Sequence, residues 1–215
     1  MNENLYEAQY SITKKNKIQK LYEENKTLIF SSLAIILILV GSLIYYSSSK
    51  EKKKILLAYN YIQAKIYLKK NNKAQASDVL KSIIFSNDSN YSPLSLFLIV
   101  NENLIEDQNE IIRLFEHILE NNKFEKEIQN LIIFKKALFQ SDFVNQEQLL
   151  QSLNTLITND SLWKPHALLL LGNYFLAKNE YSESKKYYSQ ILSLKNLHQE
   201  MYEQARSKLV LIQNE

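Results

Sequence analysis

The chain has 215 residues and a formal net charge of +3, with 2 glycines, 2 prolines and no cysteine. The lack of cysteine excludes disulfides, cysteine-ligated metals and thiol chemistry. So few glycines and prolines disfavour a β fold of many tight turns and favour helices. Because the charge is nearly balanced and Arg113 and Arg206 are the only arginines, we expect no nucleic-acid-binding face.

An uncharged, apolar run occupies residues 28–46, between Lys26 and Lys50. A helix of about 19 residues is about 28 Å long, close to the thickness of a bilayer's hydrocarbon core. A cleaved signal peptide is one alternative, but acidic residues precede the run and no clear cleavage site follows it. A soluble core helix is the other, but it would carry charges on one face. We therefore predict a retained single-pass anchor in membrane lipid, with positions along it at Leu28, Leu33, Leu37, Gly41, Tyr45 and Tyr46.

Lysines flank this span on both sides, so the positive-inside rule gives a near tie and leaves the orientation open. The cluster Lys50–Lys54 has two interpretations. It contacts anionic headgroups at about 1 kcal/mol per lysine, or it is a solvated helix start that stops the span from sliding. The predicted organisation is a short head over 1–27, a transmembrane helix over 28–46 and a domain over 50–215, which is long enough for its own core.

The clearest repeating unit of the domain covers residues 171–194. Gly172 leaves space where two helices cross, and Phe175 follows one turn later. Residues 179–181 form a turn into a second helix, whose inner face repeats at Ser184, Tyr188 and Ile191. The residues predicted to pack this hairpin are Leu171, Gly172, Phe175, Tyr181, Ser184, Tyr188 and Ile191.

This segment resembles a tetratricopeptide repeat, a helix–turn–helix unit of about 34 residues. It departs from that pattern at Leu168, Ser184 and Asn196, where Trp, Ala and Pro are usual. Fainter copies place the corresponding second-helix position at Ser77, Ile111, Leu149 and Ser184, in steps of about 34, 38 and 35 residues.

We therefore predict an all-α fold, in which the transmembrane helix precedes an α-solenoid of about four hairpins and a capping helix. The predicted hairpins pair 55–70 with 73–85, 93–104 with 109–120, 125–139 with 146–157, and 162–177 with 181–194, and the cap covers 197–212. Pro93 and Pro165 suit the first turns of their helices. Asp107 and Ser161 are the predicted N-caps.

No residue pattern points to catalysis. His117, His166 and His198 have no partners at metal-ligand spacing, and no glycine-rich loop is present to hold a phosphate. We therefore predict a protein that is not an enzyme, with no catalytic residue, metal, cofactor or small-molecule substrate.

The first helices of a repeat array line a concave groove, which binds extended peptides or partner helices. The repeat register places Tyr59, Ile62 and Ile66 of the first hairpin there, and His166, Leu169, Asn173 and Leu176 of the last. The alternative for each apolar residue is a place in the core.

A head, one span and a domain of degenerate tetratricopeptide hairpins together resemble the bacterial YfgM-like family, ancillary subunits of the SecYEG translocon. The resemblance covers nearly the whole chain. It implies an inner-membrane protein with a cytoplasmic N-terminus and a periplasmic domain, whose partners are translocon subunits, periplasmic chaperones or exported substrates. The second hypothesis is an adaptor for envelope assembly or cell division that acts through the same groove.

Overall fold

A computed structural model describes residues 17–195 and 197–213, with side chains over 24–28, 30–195 and 197–212. These residues form nine helices and no strand, which confirms the predicted all-α class. The helices are α1 (Lys17–Lys69), α2 (Lys73–Ile84), α3 (Tyr91–Asn101), α4 (Gln108–Asn121), α5 (Lys126–Gln140), α6 (Gln146–Thr158), α7 (Lys164–Ala177), α8 (Tyr181–Leu192) and α9 (Gln199–Gln213).

The chain divides into two compact units, Met1–Leu56 and Leu57–Glu215, with the boundary inside α1. In the first unit, α1 departs from helical geometry at Asn25, where φ is −124° and ψ is 17°. Residues 1–16 of the predicted head lie outside the described residues. Within the described part of the chain, α1 is the one helix long and apolar enough to cross a membrane, by its length and composition.

The described side chains of the predicted span, at residues 28 and 30–46, are all exposed. Two of its hydroxyl groups bond within the helix: Ser31 Oγ donates to Leu28 O at 3.0 Å, and Ser42 Oγ donates to Leu39 O at 2.9 Å. A polar group bonded internally in this way can enter hydrocarbon without losing a partner. Beyond the span, Lys50 Nζ lies 4.6 Å from the centre of the Tyr46 ring.

In the second unit, every helix predicted over 73–212 has a counterpart among α2 to α9. Pro93 and Pro165 lie in the first turns of α3 and α7, as predicted. Asp107 caps α4, since its Oδ1 accepts the backbone N–H of Asn109 at 2.8 Å. The prediction for Ser161 was wrong, because α7 begins later, after Trp163, and Ser161 Oγ donates to Glu127 Oε2 at 3.0 Å.

Asparagine ends several helices in the left-handed conformation that glycine usually supplies. Asn71, Asn103 and Asn179 follow α1, α3 and α7 with φ values of 57°, 49° and 60°. One residue after each of them, a backbone N–H bonds back to the last turn, as from Glu180 N to Phe175 O at 2.9 Å. This use of asparagine explains how the chain makes tight interhelical turns with so little glycine.

The core of the second unit consists of two clusters that share α5. Ile132 belongs to the cluster formed mainly by α1 to α4, whereas Ala137 belongs to the cluster formed mainly by α6 to α9. From α2 to α9, each helix contacts the next helix in the chain, and α5 also contacts α7. Most contacts are therefore local in sequence.

Hydrogen bonds also join residues that lie 34 positions apart, in or just before the starts of α3, α5 and α7. Ser89 Oγ donates to Lys123 O at 3.2 Å, and Lys126 Nζ donates to Asp160 O at 3.0 Å. The bond from Ser161 to Glu127 spans the same separation. These bonds hold the start of α5 beside the starts of α3 and α7, which places the first helices of successive predicted hairpins side by side.

Candidate functional site

The hairpin of α7 and α8 is the most closely packed pair of helices in the second unit. Gly172 faces the buried ring of Tyr188, and Ser184 Oγ donates to Gly172 O at 2.8 Å. All residues predicted to pack this hairpin are buried except Tyr181, which is half-buried at the start of α8. The close approach fixes the orientation of α7 and hence of its outward face.

Tyr188 also links this packing to the predicted groove. Its hydroxyl donates to Asn173 Oδ1 at 2.8 Å, which holds an exposed groove residue in place. Burial raises the pKa of Tyr188, and the hydrogen bond with Ser184 lowers it by a smaller amount. The phenol therefore stays protonated and keeps donating at neutral pH.

The structure places the predicted groove residues at the surface or at its edge. Tyr59 and Ile62 are 58% and 55% exposed, and Ile66 is half-buried. In α7, His166 and Asn173 are exposed, whereas Leu169 and Leu176 are half-buried. The outward face of α1 is therefore more apolar than that of α7.

A cleft of about 590 Å³ lies between α3 and α5, which sequence reasoning had not assigned to the groove. Leu94 and Phe97 of α3 line one side, and Ile128 and Leu131 of α5 line the other. Leu94 and Ile128 are 46% and 43% exposed. Large apolar side chains open to solvent inside a cleft indicate a binding surface.

These cleft residues continue the spacing of the predicted groove. Each first helix presents a pair of residues three positions apart, which lie on one helix face. The pairs are Tyr59 and Ile62 of α1, Leu94 and Phe97 of α3, Ile128 and Leu131 of α5, and His166 and Leu169 of α7. The repeat register, applied to Ile111 and Leu149, gives Pro93 with Leu96 and Leu131 with Phe134 instead, so the pairs on α3 and α5 come from the structure.

At the α7 end, the outward face becomes polar. Leu169 and Asn173 line a cavity of about 410 Å³ with side chains of α9, including Glu200, Glu203 and Lys208. The apolar part of the surface is therefore concentrated on α1, α3 and α5.

His166 occupies an aromatic corner beside this surface. Its ring centre lies 5.1 Å from that of Trp163 and 5.9 Å from that of Phe134. Burial lowers the pKa of His166, and a hydrogen bond with the backbone of Leu162 opposes that shift. The imidazole is therefore mostly neutral at pH 7 and adds a flat, uncharged ring to the surface.

A third cavity, of about 430 Å³, contains both His166 and His198 together with Glu127. The Glu127 carboxylate accepts hydrogen bonds from Ser161 Oγ and Leu162 N, each at 3.0 Å, so it serves the loop before α7. Within the described residues, no three His, Cys, Asp or Glu side chains are grouped as a metal would require.

The arrangement is thus an apolar face with few charged groups, suited to holding a chain segment by burial of large side chains. Comparisons with protein-family models, curated proteins and solved structures found no match.

Proposed function

We propose that this protein is a membrane-anchored, non-catalytic interaction scaffold. The observation that carries the proposal is the repeated pair of outward residues on α1, α3 and α5, with Tyr59, Leu94 and Ile128 exposed to solvent. An apolar side chain that recurs at one position of successive helices and lacks cover is a surface for a partner.

In this proposal, α1 to α8 form four tetratricopeptide-like hairpins and α9 covers the last one. Contacts between consecutive helices from α2 to α9 support this arrangement, as do the hydrogen bonds between residues 34 positions apart. The first helix of each hairpin then contributes to one concave surface. The residues of the proposed surface are Tyr59, Ile62, Ile66, Leu94, Phe97, Ile128, Leu131, His166, Leu169, Asn173 and Leu176.

The proposed setting is the SecYEG translocon of the bacterial inner membrane, by resemblance to the YfgM-like family. The apolar helix α1 supplies the anchor, the N-terminus is cytoplasmic, and the repeat domain faces the periplasm. The domain would then hold periplasmic chaperones or emerging substrates beside the translocon. The alternative is an adaptor for envelope assembly or cell division. The following experiment distinguishes this alternative from the translocon setting.

Affinity purification of the full chain from detergent-solubilised membranes tests this function. We expect translocon subunits and periplasmic chaperones to co-purify with the full chain. The double variant Leu94→Ser, Ile128→Ser should recover them at least tenfold less, because it removes two apolar side chains that the partner would bury. The matched control is Val210→Ser, Leu211→Ser, which alters similarly exposed residues of α9.

Three outcomes would count against the proposal. Division or cell-wall proteins in place of translocon components would favour the adaptor alternative. Cytosolic proteins alone would contradict the periplasmic orientation. Equal losses in the groove variant and the α9 control would show that the apolar surface of the first helices has no special part in binding.

A further inference from the structure

The first and second helices of the proposed hairpins differ in charge within the second unit. The first helices carry six lysines and one carboxylate: Lys65, Lys69, Lys126, Lys135, Lys136, Lys164 and Glu127. The second helices are nearly balanced, with six carboxylates and five basic residues: Asp78, Glu110, Glu116, Glu120, Glu147, Glu183, Lys73, Lys81, Arg113, Lys185 and Lys186. The helices that line the apolar surface are therefore basic as a set.

The single carboxylate of the first helices does not face an incoming ligand as a free charge. Glu127 accepts hydrogen bonds from Ser161 Oγ, Leu162 N and Asn130 Nδ2, at 3.0, 3.0 and 3.3 Å. These donors lie on its own helix and on the loop before α7. The carboxylate is thus engaged within the fold, and its uncharged donors leave its negative charge in place. Six lysines against this one carboxylate still give the first helices an excess of five positive charges.

Lys135 lies beside that cleft, next to its lining residue Phe97. Its Nζ lies 6.0 Å from the centre of the Phe97 ring, and within the described residues no carboxylate lies within 4 Å of it. Its neighbour Lys136 differs, because it pairs with Glu116 of α4 at 2.9 Å. The ammonium group of Lys135 therefore stands beside the apolar lining without an anionic partner from this part of the chain.

The rim of the cleft adds one charge of each sign. Lys123 and Glu125 both line it, and Glu125 is the N-cap residue of α5. The positive end of that helix's dipole partly offsets the Glu125 charge. The helix α3 contributes no charge at all. The lining is therefore uncharged apart from Lys123 and Glu125, and Lys135 beside Phe97 adds a further positive charge.

We infer that the α3–α5 cleft binds an acidic amphipathic helix, whose large apolar side chains fill the cleft while its carboxylates face Lys135 and Lys123. This deepens the proposed function, on which it rests, by giving the chemistry of the partner segment. Helix-in-groove binding uses apolar anchors at one face of the ligand helix, and charges at the rim select among ligands that share those anchors.

An anionic membrane surface is the other ligand with apolar and negative parts. The geometry favours the peptide, because Leu94, Phe97, Ile128 and Leu131 line the walls of a cleft. Side chains that enter a bilayer project from a helix face or loop tip, whereas those of a cleft receive an inserted side chain.

The test uses the full chain in nanodiscs of neutral lipid and two fluorescent helical peptides of about 15 residues. The peptides share leucines on one face and carry glutamate or lysine on the other. We expect the glutamate peptide to bind about tenfold more tightly, with a preference that falls as salt rises. Equal binding, or tighter binding of the lysine peptide, would overturn the inference.

Charge reversal at the cleft provides the decisive variant. Lys135→Glu should reduce or invert the preference between the two peptides, and Lys135→Gln should reduce it to a smaller extent. The matched control Lys185→Glu, on an exposed position of α8, should leave the preference unchanged. A preference that survives Lys135→Glu, or that Lys185→Glu alters equally, would place the charge effect elsewhere and contradict the inference.

The membrane alternative is tested with a single label, because the chain has no cysteine of its own. An environment-sensitive dye is attached to the variant Asn90→Cys, whose position lines the cleft. Its emission should change when the glutamate peptide is added. Without peptide, its emission should be the same in neutral and anionic nanodiscs. A shift caused by anionic lipid alone would show that the cleft contacts the membrane. If the protein binds the two peptides equally while affinity purification still depends on Leu94 and Ile128, the proposed function stands and this inference fails.

Discussion

Truncation after Asn159 should produce a chain that aggregates or is degraded. The cut removes α7 to α9, which supply most of the second core cluster, and only Ala137, Leu149, Leu153 and Leu156 of its buried residues would remain. The three leucines are fully buried in the complete chain. Exposing each would cost about 1.5–3 kcal/mol, a large part of a domain's total stability.

Size-exclusion chromatography of the detergent-extracted proteins measures this effect. The full chain should elute as one symmetric species, whereas the truncated chain should appear in the void volume or fail to accumulate. A chain that ends after Leu194 is the graded control, because it loses α9 but only Ala205 among the buried residues of that cluster. A well-behaved product truncated after Asn159 would show that the helix pairing is wrong.

Gly172→Val should destabilise the second unit by about 3 kcal/mol through overpacking. A Cβ built at residue 172 lies 2.5 Å from Cε1 of Tyr188 and 2.8 Å from its Cδ1. The Tyr188 ring has little freedom to retreat, since it is fully buried and its hydroxyl is bonded to Asn173. The backbone entropy recovered by replacing glycine in a helix is smaller, below about 1 kcal/mol.

Chemical unfolding in detergent, followed by tryptophan fluorescence, measures this cost. Trp163 is the single tryptophan, it precedes α7, and its ring stacks on Phe134 at 5.6 Å. Gly41→Ala is the control within the same chain, because a Cβ there has nothing within 4 Å. Combining Gly172→Val with Tyr188→Leu should relieve part of the clash. The double variant should therefore lose less unfolding free energy than the two single variants lose in sum. An unchanged midpoint for Gly172→Val would contradict the close packing of α7 on α8.

The positions of the helices followed from local signals that the tertiary structure did not override. Apolar residues at helical spacing, prolines near helix starts and the acidic cap Asp107 each predicted the element that formed. Ser161 was the exception. Its hydroxyl bonds to Glu127, a residue of another helix, so the start of α7 depends on a contact that periodicity does not show.

The middle of the candidate surface was harder to predict than its ends. Helix α3 is apolar on all sides, so its pattern does not show that Leu94 is open to solvent while Leu96 is fully buried. Only the packing of α3 against α5 distinguishes these two leucines. The left-handed asparagines were missed for a related reason, because their conformation depends on how each helix ends.

The lysines of the molecule differ in whether a carboxylate pairs with them. Lys81 of α2 pairs with Glu110 of α4 at 3.3 Å, and Lys136 of α5 pairs with Glu116 of α4 at 2.9 Å. Within the described residues, Lys135 beside the cleft has no carboxylate within 4 Å. Ion pairs of exposed groups contribute little to stability, about 1 kcal/mol or less, so this pattern bears on recognition more than on folding.

The central claim is that the outward face of the first helices is where partners bind. It is tested most directly by placing a photo-activated cross-linking residue at Leu94 or Ile128 of the full chain and irradiating cells that produce it. The same residue at Phe85, just after α2, or at Leu211 of α9 is the control, since both side chains are exposed. We predict discrete adducts with partner proteins from Leu94 and Ile128 and weak or no adducts from the control positions. Adducts that form equally from all four positions, or only from the controls, would contradict the account.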